Sequence, residues 1–267
     1  MSSTPKERVR DFWQAGSCGE VYAHGVDVPA QFEAHRKARY ELEPYIPGFA
    51  RFDDGRGRDV LEIGVGMGAD HLEWAKCAPK SLSGVDLTPR AIEWTTERLR
   101  LHDLESDLRV GDAESLPFDD NSFDIVYSWG VVHCSPDTRR AMSEIHRVLR
   151  PGGEASIMIY HSRSIVGYLL WLRYGLLRRK SLRDVYTSHL ESPGTKAYTV
   201  DEARELMADF DTVDAWTILS FGDLLEGEVG QQHPSRALEF AKRVWPRRLI
   251  RATLPGRGLY LLIRATK

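Results

Sequence analysis

From Arg58 onward, short apolar runs alternate with segments whose apolar positions recur every three or four residues. The runs "DVLEIGV" (59–65), "SLSGVDL" (81–87), "DLRVGDA" (107–113), "FDIVYSWGVVH" (123–133) and "EASIMIY" (154–160) predict five strands. Helices are predicted between them at "ADHLEWAKCA" (69–78), "TPRAIEWTTERLRLHDL" (88–104) and "RRAMSEIHRVL" (139–149). Thr88 stands at an N-cap with Pro89 in the first turn, and "RPGG" stops the third helix. A further helix starts at "TVDEARELMADF", where Thr199 and Glu202 fit a capping box. Two last strands follow, "TVDAWTILSF" (212–221) and "GLYLLIRATK" (258–267). Strand alternating with helix predicts parallel pairing through right-handed crossovers, a doubly wound α/β sheet.

The pattern divides the chain into an N-terminal helical segment (1–55), a core (56–160), an insertion (161–198) and a C-terminal part that completes the core (199–267). "GFARFDDGRG" is expected to connect the first segment to the core. In doubly wound sheets ligands bind beyond the carboxyl ends of the strands. That rule selects Gly64–Gly68, Asp86, Asp112, Ser128–His133 and Tyr160–His161, which lie far apart in sequence but share one predicted edge.

Composition adds little. A chain of 267 residues, 42% hydrophobic and 28% charged, is ordinary for a globular protein, and its net charge of −3 makes no case for nucleic acid or acidic membranes. Cys18, Cys77 and Cys134 form neither a C-x-x-C pair nor an even framework, so neither a disulfide network nor a zinc site is expected. The N-terminus "MSSTPKERVRDFW" shows no secretory h-region, and "SIVGYLLWLRYGLL" (164–177) is short for a membrane span and carries Arg173. A cytoplasmic protein without an integral membrane segment is expected.

The turn "EIGVGMG" (62–68) carries the candidate chemistry. A P-loop is excluded, because Ala-Asp-His follows Gly68 where a lysine would answer phosphate charge. The loose dinucleotide form survives in Gly64-x-Gly66-x-x-Ala69, with Asp86 at a distance suited to a ribose. Glu62 before the turn and Asp112 after the third strand oppose a pyrophosphate and favour a cation. A phosphate-free, cationic nucleoside such as S-adenosylmethionine fits the charge.

Taken together, E-x-G-x-G-x-G at 62–68, "GVDLT", "VGDAESLPF", "FDIVYSWGVVHC" and "LRPGGEASIMIY" resemble class I S-adenosylmethionine-dependent methyltransferases, in particular the type 11 small-molecule group. The resemblance covers roughly residues 58–161. It implies a Rossmann-like, mostly parallel seven-stranded sheet with an antiparallel last strand, plus helical lid elements. It also implies that Gly64, Gly66 and Gly68 let the backbone approach the cofactor, with Glu62 near its ammonium and Asp86 on the ribose hydroxyls. Leu87 would pack on the adenine, Asp112 and Ala113 would meet its exocyclic amine, and Ser128 and Trp129 would face the methyl group. S-adenosyl-L-homocysteine would be the by-product.

His133 and His161, at the ends of strands four and five, are candidate general bases. His146 reads as packing, and no metal-ligand cluster is expected. The lid candidates are 9–25 and 164–180, which offer Trp13, Tyr22 and Tyr168, with Tyr160 at the strand end, to an apolar or aromatic small-molecule acceptor. The apolar 164–180 helix could equally be buried or make a homo-oligomer contact, and the basic stretch 234–258 suits a solvated face. A macromolecule methyltransferase is the runner-up, although "YSWG" lacks the [DN]-P-P-[YF] of nucleic-acid amino methylation, so no nucleic-acid partner is expected. A non-methylating cofactor-binding protein and a nicotinamide oxidoreductase are the remaining alternatives.

Overall fold

A computed structural model describes residues 3–226 and 242–267; the first part of the basic stretch, 234–241, lies outside them. The seven strands are β1 (Asp59–Ile63), β2 (Ser81–Asp86), β3 (Asp107–Val110), β4 (Phe123–Trp129), β5 (Leu149–Tyr160), β6 (Thr212–Ile218) and β7 (Tyr260–Thr266). They form one sheet in the order β3-β2-β1-β4-β5-β7-β6. The first five pair in parallel, and β7 runs antiparallel to both β5 and β6. β1, at the centre, is buried along its whole length, as an apolar strand covered on both faces must be.

Helices α1 (Pro5–Ala15), α2 (Val28–Leu42) and α3 (Ile46–Ala50) precede the sheet. α4 (Ala69–Lys76), α5 (Pro89–Arg100) and α6 (Thr138–Val148) are crossovers. α7 (Ile165–Tyr174) and α8 (Leu182–His189) occupy the insertion, and α9 (Val200–Leu206) and α10 (Arg247–Thr253) precede β6 and β7. The Thr88 cap accepts from the Ala91 amide, and Thr199 with Glu202 makes the full capping box. On α6, Ala141, Met142, Ile145 and Val148 form one buried stripe against the sheet.

Three local expectations need correction. The "GFARFDDGRG" connector is α3 followed by a 3-10 turn at Phe52–Gly55, because Ile46 and Phe49 bury themselves and Phe49 meets the edges of Trp129 and Trp216. β5 begins at Leu149, five residues earlier than the apolar pattern indicates, and carries Pro151, Gly152 and Gly153 through a register shift against β4. The 164–180 helix stops at Tyr174, where Gly175 is the C-cap, and Leu172, Leu176 and Leu177 are exposed.

Candidate active site

The turn after β1 holds Gly64, Gly66 and Gly68 at positive φ (84°, 53° and 73°). Each glycine has a different constraint. A Cβ on Gly64 would lie 2.1 Å from Val131 Cγ2, and one on Gly68 would lie 2.9 Å from Thr95, whereas one on Gly66 meets nothing within 4 Å. The first and third therefore pack the turn against its neighbours, and the second leaves its backbone open to a cavity of about 600 Å³.

Glu62, on β1 beneath this turn, is 3% exposed and bonds through Oε2 to His71 Nδ1 at 3.0 Å. His71 Nε2 meets Ser106 Oγ at 2.8 Å, and that hydroxyl donates to the Leu82 carbonyl at 2.8 Å. Since Ser106 has spent its proton, His71 Nε2–H must donate to it. Burial favours the neutral ring, whose bare Nδ1 accepts a hydrogen bond from a protonated Glu62. The electrostatics agree. Burial pushes His71 down to about 3, and burial together with the Asp70 charge pushes Glu62 well above the carboxylate range.

Asp86, at the end of β2, accepts from the Thr88 amide and hydroxyl at Oδ1 (both 2.9 Å) and from the Gly66 amide at Oδ2 (3.2 Å). These bonds aim the carboxylate along the glycine turn. Burial raises its pKa, and the donated bonds oppose that rise. Asp112, just beyond β3, receives the Lys6 ammonium at 2.5 Å, and the same ammonium lies 2.6 Å from Glu114. Lys6 belongs to α1, so the N-terminal helix is tied to the end of β3 by this ion pair.

Beneath the turn, Asp70 of α4 gathers α2 and the sheet together. It accepts from Arg39 Nε (2.8 Å) and Nη2 (2.5 Å), Tyr40 Oη (3.0 Å) and Tyr127 Oη (2.8 Å). Burial alone would raise this carboxyl, but the Arg39 charge and the donors outweigh it and hold it low.

The far wall of the cavity comes from six segments. Trp129, Tyr160 and Tyr260 stand at the ends of β4, β5 and β7; Val166, Leu170, Leu190 and Glu191 come from the insertion; Cys18 and Glu43 come from the N-terminal segment; and Phe221 follows β6. Asp223 fastens this wall, accepting from the amides of Val166, Ser220 and Leu259. Acidic side chains around the cavity (Glu20, Glu43, Glu62, Asp70, Asp86, Asp112 and Glu191) outnumber Lys6 and Arg39, both of which are ion-paired.

Comparison with known proteins gives relatives for part of the chain. The profile of a methyltransferase domain matches residues 61–157. A phthiotriol/phenolphthiotriol dimycocerosates methyltransferase of Mycobacterium tuberculosis is 46% identical over 99 residues, 36% of this chain and 36% of that one. The match thus spans about a third of the relative's length. Among solved structures, an S-adenosylmethionine-dependent methyltransferase from Mesorhizobium loti superposes with a TM-score of 0.53 at 17% identity, covering 84% of this chain and 97% of that one. A phosphoethanolamine N-methyltransferase of Haemonchus contortus, in complex with phosphomonomethylethanolamine and S-adenosylhomocysteine, gives 0.61 at 18% identity, covering 97% and 60%. The likeness in sequence to methyltransferases thus covers residues 61–157, about a third of this chain, and the solved structures share its fold.

The residues present fit S-adenosylmethionine. The open face of Gly66, the Asp86 carboxylate aimed along it and the surplus of acidic groups suit a phosphate-free cation. Of the residues expected to hold it, Glu62, Gly64, Gly66, Asp86, Leu87, Asp112, Ala113 and Trp129 line one cavity. Gly68 and Ser128 do not. Gly68 is the N-cap of α4, and the Ser128 hydroxyl is buried and donates to the Ile63 carbonyl at 3.1 Å.

Of the residues expected to meet an acceptor, Trp13, Tyr22 and Tyr160 line the cavity, and Tyr168 does not. Tyr168 sits on α7 with 42% of its surface exposed. Neither of the two candidate histidines lines the cavity. His161 spends Nδ1 on the Gly258 carbonyl at 3.1 Å. His133 is fully buried with its ring centroid 4.1 Å from that of Tyr160, and neither ring nitrogen has a partner. Burial, with Lys196 adding to it, pushes His133 down to about 3, far from the range of a neutral-pH base. His146 packs edge-on against Phe210, as expected of a packing residue.

Sequence reasoning missed Lys6, Arg39, Glu43, Asp70 and Glu191. Only Asp70 had a local signal, an acidic residue in the first turn of the helix that leaves the glycine turn. Among the described residues, no helix is long and apolar enough to cross a membrane.

Proposed function

We propose that this chain transfers a methyl group from S-adenosylmethionine to a small-molecule acceptor held in the same cavity. The observation that carries the reading is the continuity of one cavity from Gly64, Gly66 and Asp86 to the wall of Trp129, Tyr160, Leu170 and Phe221. S-adenosylmethionine supplies a methyl carbon already activated by its sulfonium, so the protein's main contribution is proximity and in-line alignment. The glycine backbone lets the cofactor approach closely, Asp86 accepts the ribose hydroxyls, Leu87 covers the adenine, and Asp112 with Ala113 meets its amine. Glu62 gives up its proton when the cofactor's ammonium arrives, because a cation beside it reverses the cost of ionisation.

The apolar side chains of the insertion and the N-terminal segment exclude water and favour an acceptor with a substantial hydrocarbon or aromatic part. The three cysteines are unpaired, in keeping with a reducing cytoplasm. The test is incubation of the purified full chain with methyl-labelled S-adenosylmethionine and a panel of small alcohols, phenols, amines and thiols. Label in one class of product, with matching S-adenosylhomocysteine, supports the reading. Cofactor binding with no by-product across the panel contradicts it in favour of a protein that binds the cofactor without methylating.

A further inference from the structure

The polar equipment of the acceptor wall is more specific than its apolar lining. Glu191, just beyond α8, faces the cavity and accepts from Tyr160 Oη at 2.8 Å. Glu43, at the end of α2, is 7% exposed; burial raises its pKa, and Arg39, the Tyr260 hydroxyl and the Trp129 indole oppose that rise. The Tyr160 and Tyr260 rings lie parallel within 12° at 6.1 Å, and Trp129 meets Tyr260 edge-on at 5.7 Å. Two carboxylates thus face a space bounded by three electron-rich rings. Arg39, 3.3 Å from Glu43, already serves Asp70, and among the described residues no ion pair reaches Glu191.

A second observation points the same way. His133 is completely buried with both nitrogens unpartnered, and a ring nitrogen lies within 4.8 Å of a Glu191 carboxylate oxygen. A buried imidazole without a partner is costly unless some state of the protein supplies one. Being neutral, it offers a bare nitrogen that can accept a hydrogen bond from a protonated Glu191. Burial pushes Glu191 up to about 7; the Tyr160 hydroxyl opposes that rise and the Glu43 charge adds to it.

We propose that the acceptor is an amine, received as its ammonium between Glu191 and Glu43 among the rings of Trp129, Tyr160 and Tyr260. The inference rests on the methyl-transfer reading and narrows its substrate class. Carboxylates and ring faces both attract a cation, and neither favours a phosphate. The proton balance follows from the same residues. The ammonium R–NH3+ passes one proton to the Glu191 carboxylate, leaving R–NH2 and a carboxylic acid that can turn its O–H toward His133. The nitrogen lone pair then forms the N–C bond as the C–S+ bond breaks toward sulfur, giving R–NH2+–CH3 and a neutral thioether. Glu191 later returns its proton to water.

The experiment is calorimetric titration of the full chain, saturated with S-adenosylhomocysteine, against octylamine, 1-octanol and octyl phosphate. Octylamine is expected to bind at least about tenfold tighter than octanol, with octyl phosphate weakest. In Glu191→Gln the octylamine advantage should fall about tenfold, while octanol and S-adenosylhomocysteine binding hold. Equal or tighter binding of octanol or octyl phosphate to the wild-type chain overturns the proposal without needing any variant. So does stoichiometric zinc bound by the wild type and lost in Glu191→Gln, which would make His133, Cys134 and Glu191 a metal site. Absence of S-adenosylhomocysteine binding overturns the methyl-transfer reading, and this one with it.

Discussion

The two halves of the cavity are built on opposite plans. The half proposed for the cofactor grows from one contiguous stretch, β1 through β3, and its polar groups are engaged: Glu62 by His71, and Asp86 by Gly66 and Thr88. The acceptor half is assembled from the N-terminus, the insertion, the end of β5 and the chain after β6, and His133 remains unpartnered at its back. The difference shows where each half places its electrostatic cost. The cofactor half is preorganised before any ligand arrives, whereas the acceptor half keeps polar groups whose satisfaction depends on what enters.

The joint between the halves is the place to break that comparison hardest. Asp70 is the carboxylate on which α2, α4 and β4 converge, so Asp70→Asn should leave the Arg39 charge poorly compensated. We expect a loss of about 3 kcal/mol or more, seen as a thermal midpoint lower by about 6–12 °C. A midpoint within 1–2 °C of wild type would show the two halves to be joined by apolar packing alone.

Next in size, Asp86→Ala should weaken S-adenosylhomocysteine binding by about 10–100-fold, the worth of charge-assisted hydrogen bonds. Octylamine binding measured without cofactor should change little. Equal losses on both sides would mean that the halves are not separable.

The smallest effect is a proton. Because Glu62 is held protonated in the free chain, binding of a cationic cofactor beside it should release up to about one proton. Affinity should therefore tighten with rising pH, by at most about tenfold per unit. The sign follows from the direction of the shift: burial raises the pKa of Glu62 in the free protein, and the bound ammonium lowers it. Calorimetry in buffers of different ionisation enthalpy reads the proton count, and Glu62→Gln should abolish that release.

The same division explains what was legible in the sequence. Local signals carried the first half: apolar runs for the strands, Thr88 and Thr199 for two helix starts, and glycines with a preceding glutamate for the turn. Signals that exist only in three dimensions were lost. Lys6 reaches Asp112 across 106 positions, and nothing near either residue announces the pair. α3 was hidden by Pro47 and Gly48, whose turn preference is overridden by the burial of Ile46 and Phe49. The strand-end rule brought His133 and His161 to the correct edge of the sheet, but it could not say that Tyr160 would stand at the cavity with His133 behind it. Glu43 and Glu191 were unreadable for a simpler reason: carboxylates at helix ends are ordinary until the fold buries them.

The central claim is that the glycine turn, Glu62, Asp86 and Asp112 form a receptor for a phosphate-free cationic nucleoside. Direct titration of the full chain with S-adenosylmethionine and, separately, with NAD and NADP tests it. The account predicts one saturable site for S-adenosylmethionine, weakened in Asp86→Ala, and no comparable binding of either dinucleotide. Tight binding of NAD or NADP with none of the sulfonium would contradict it.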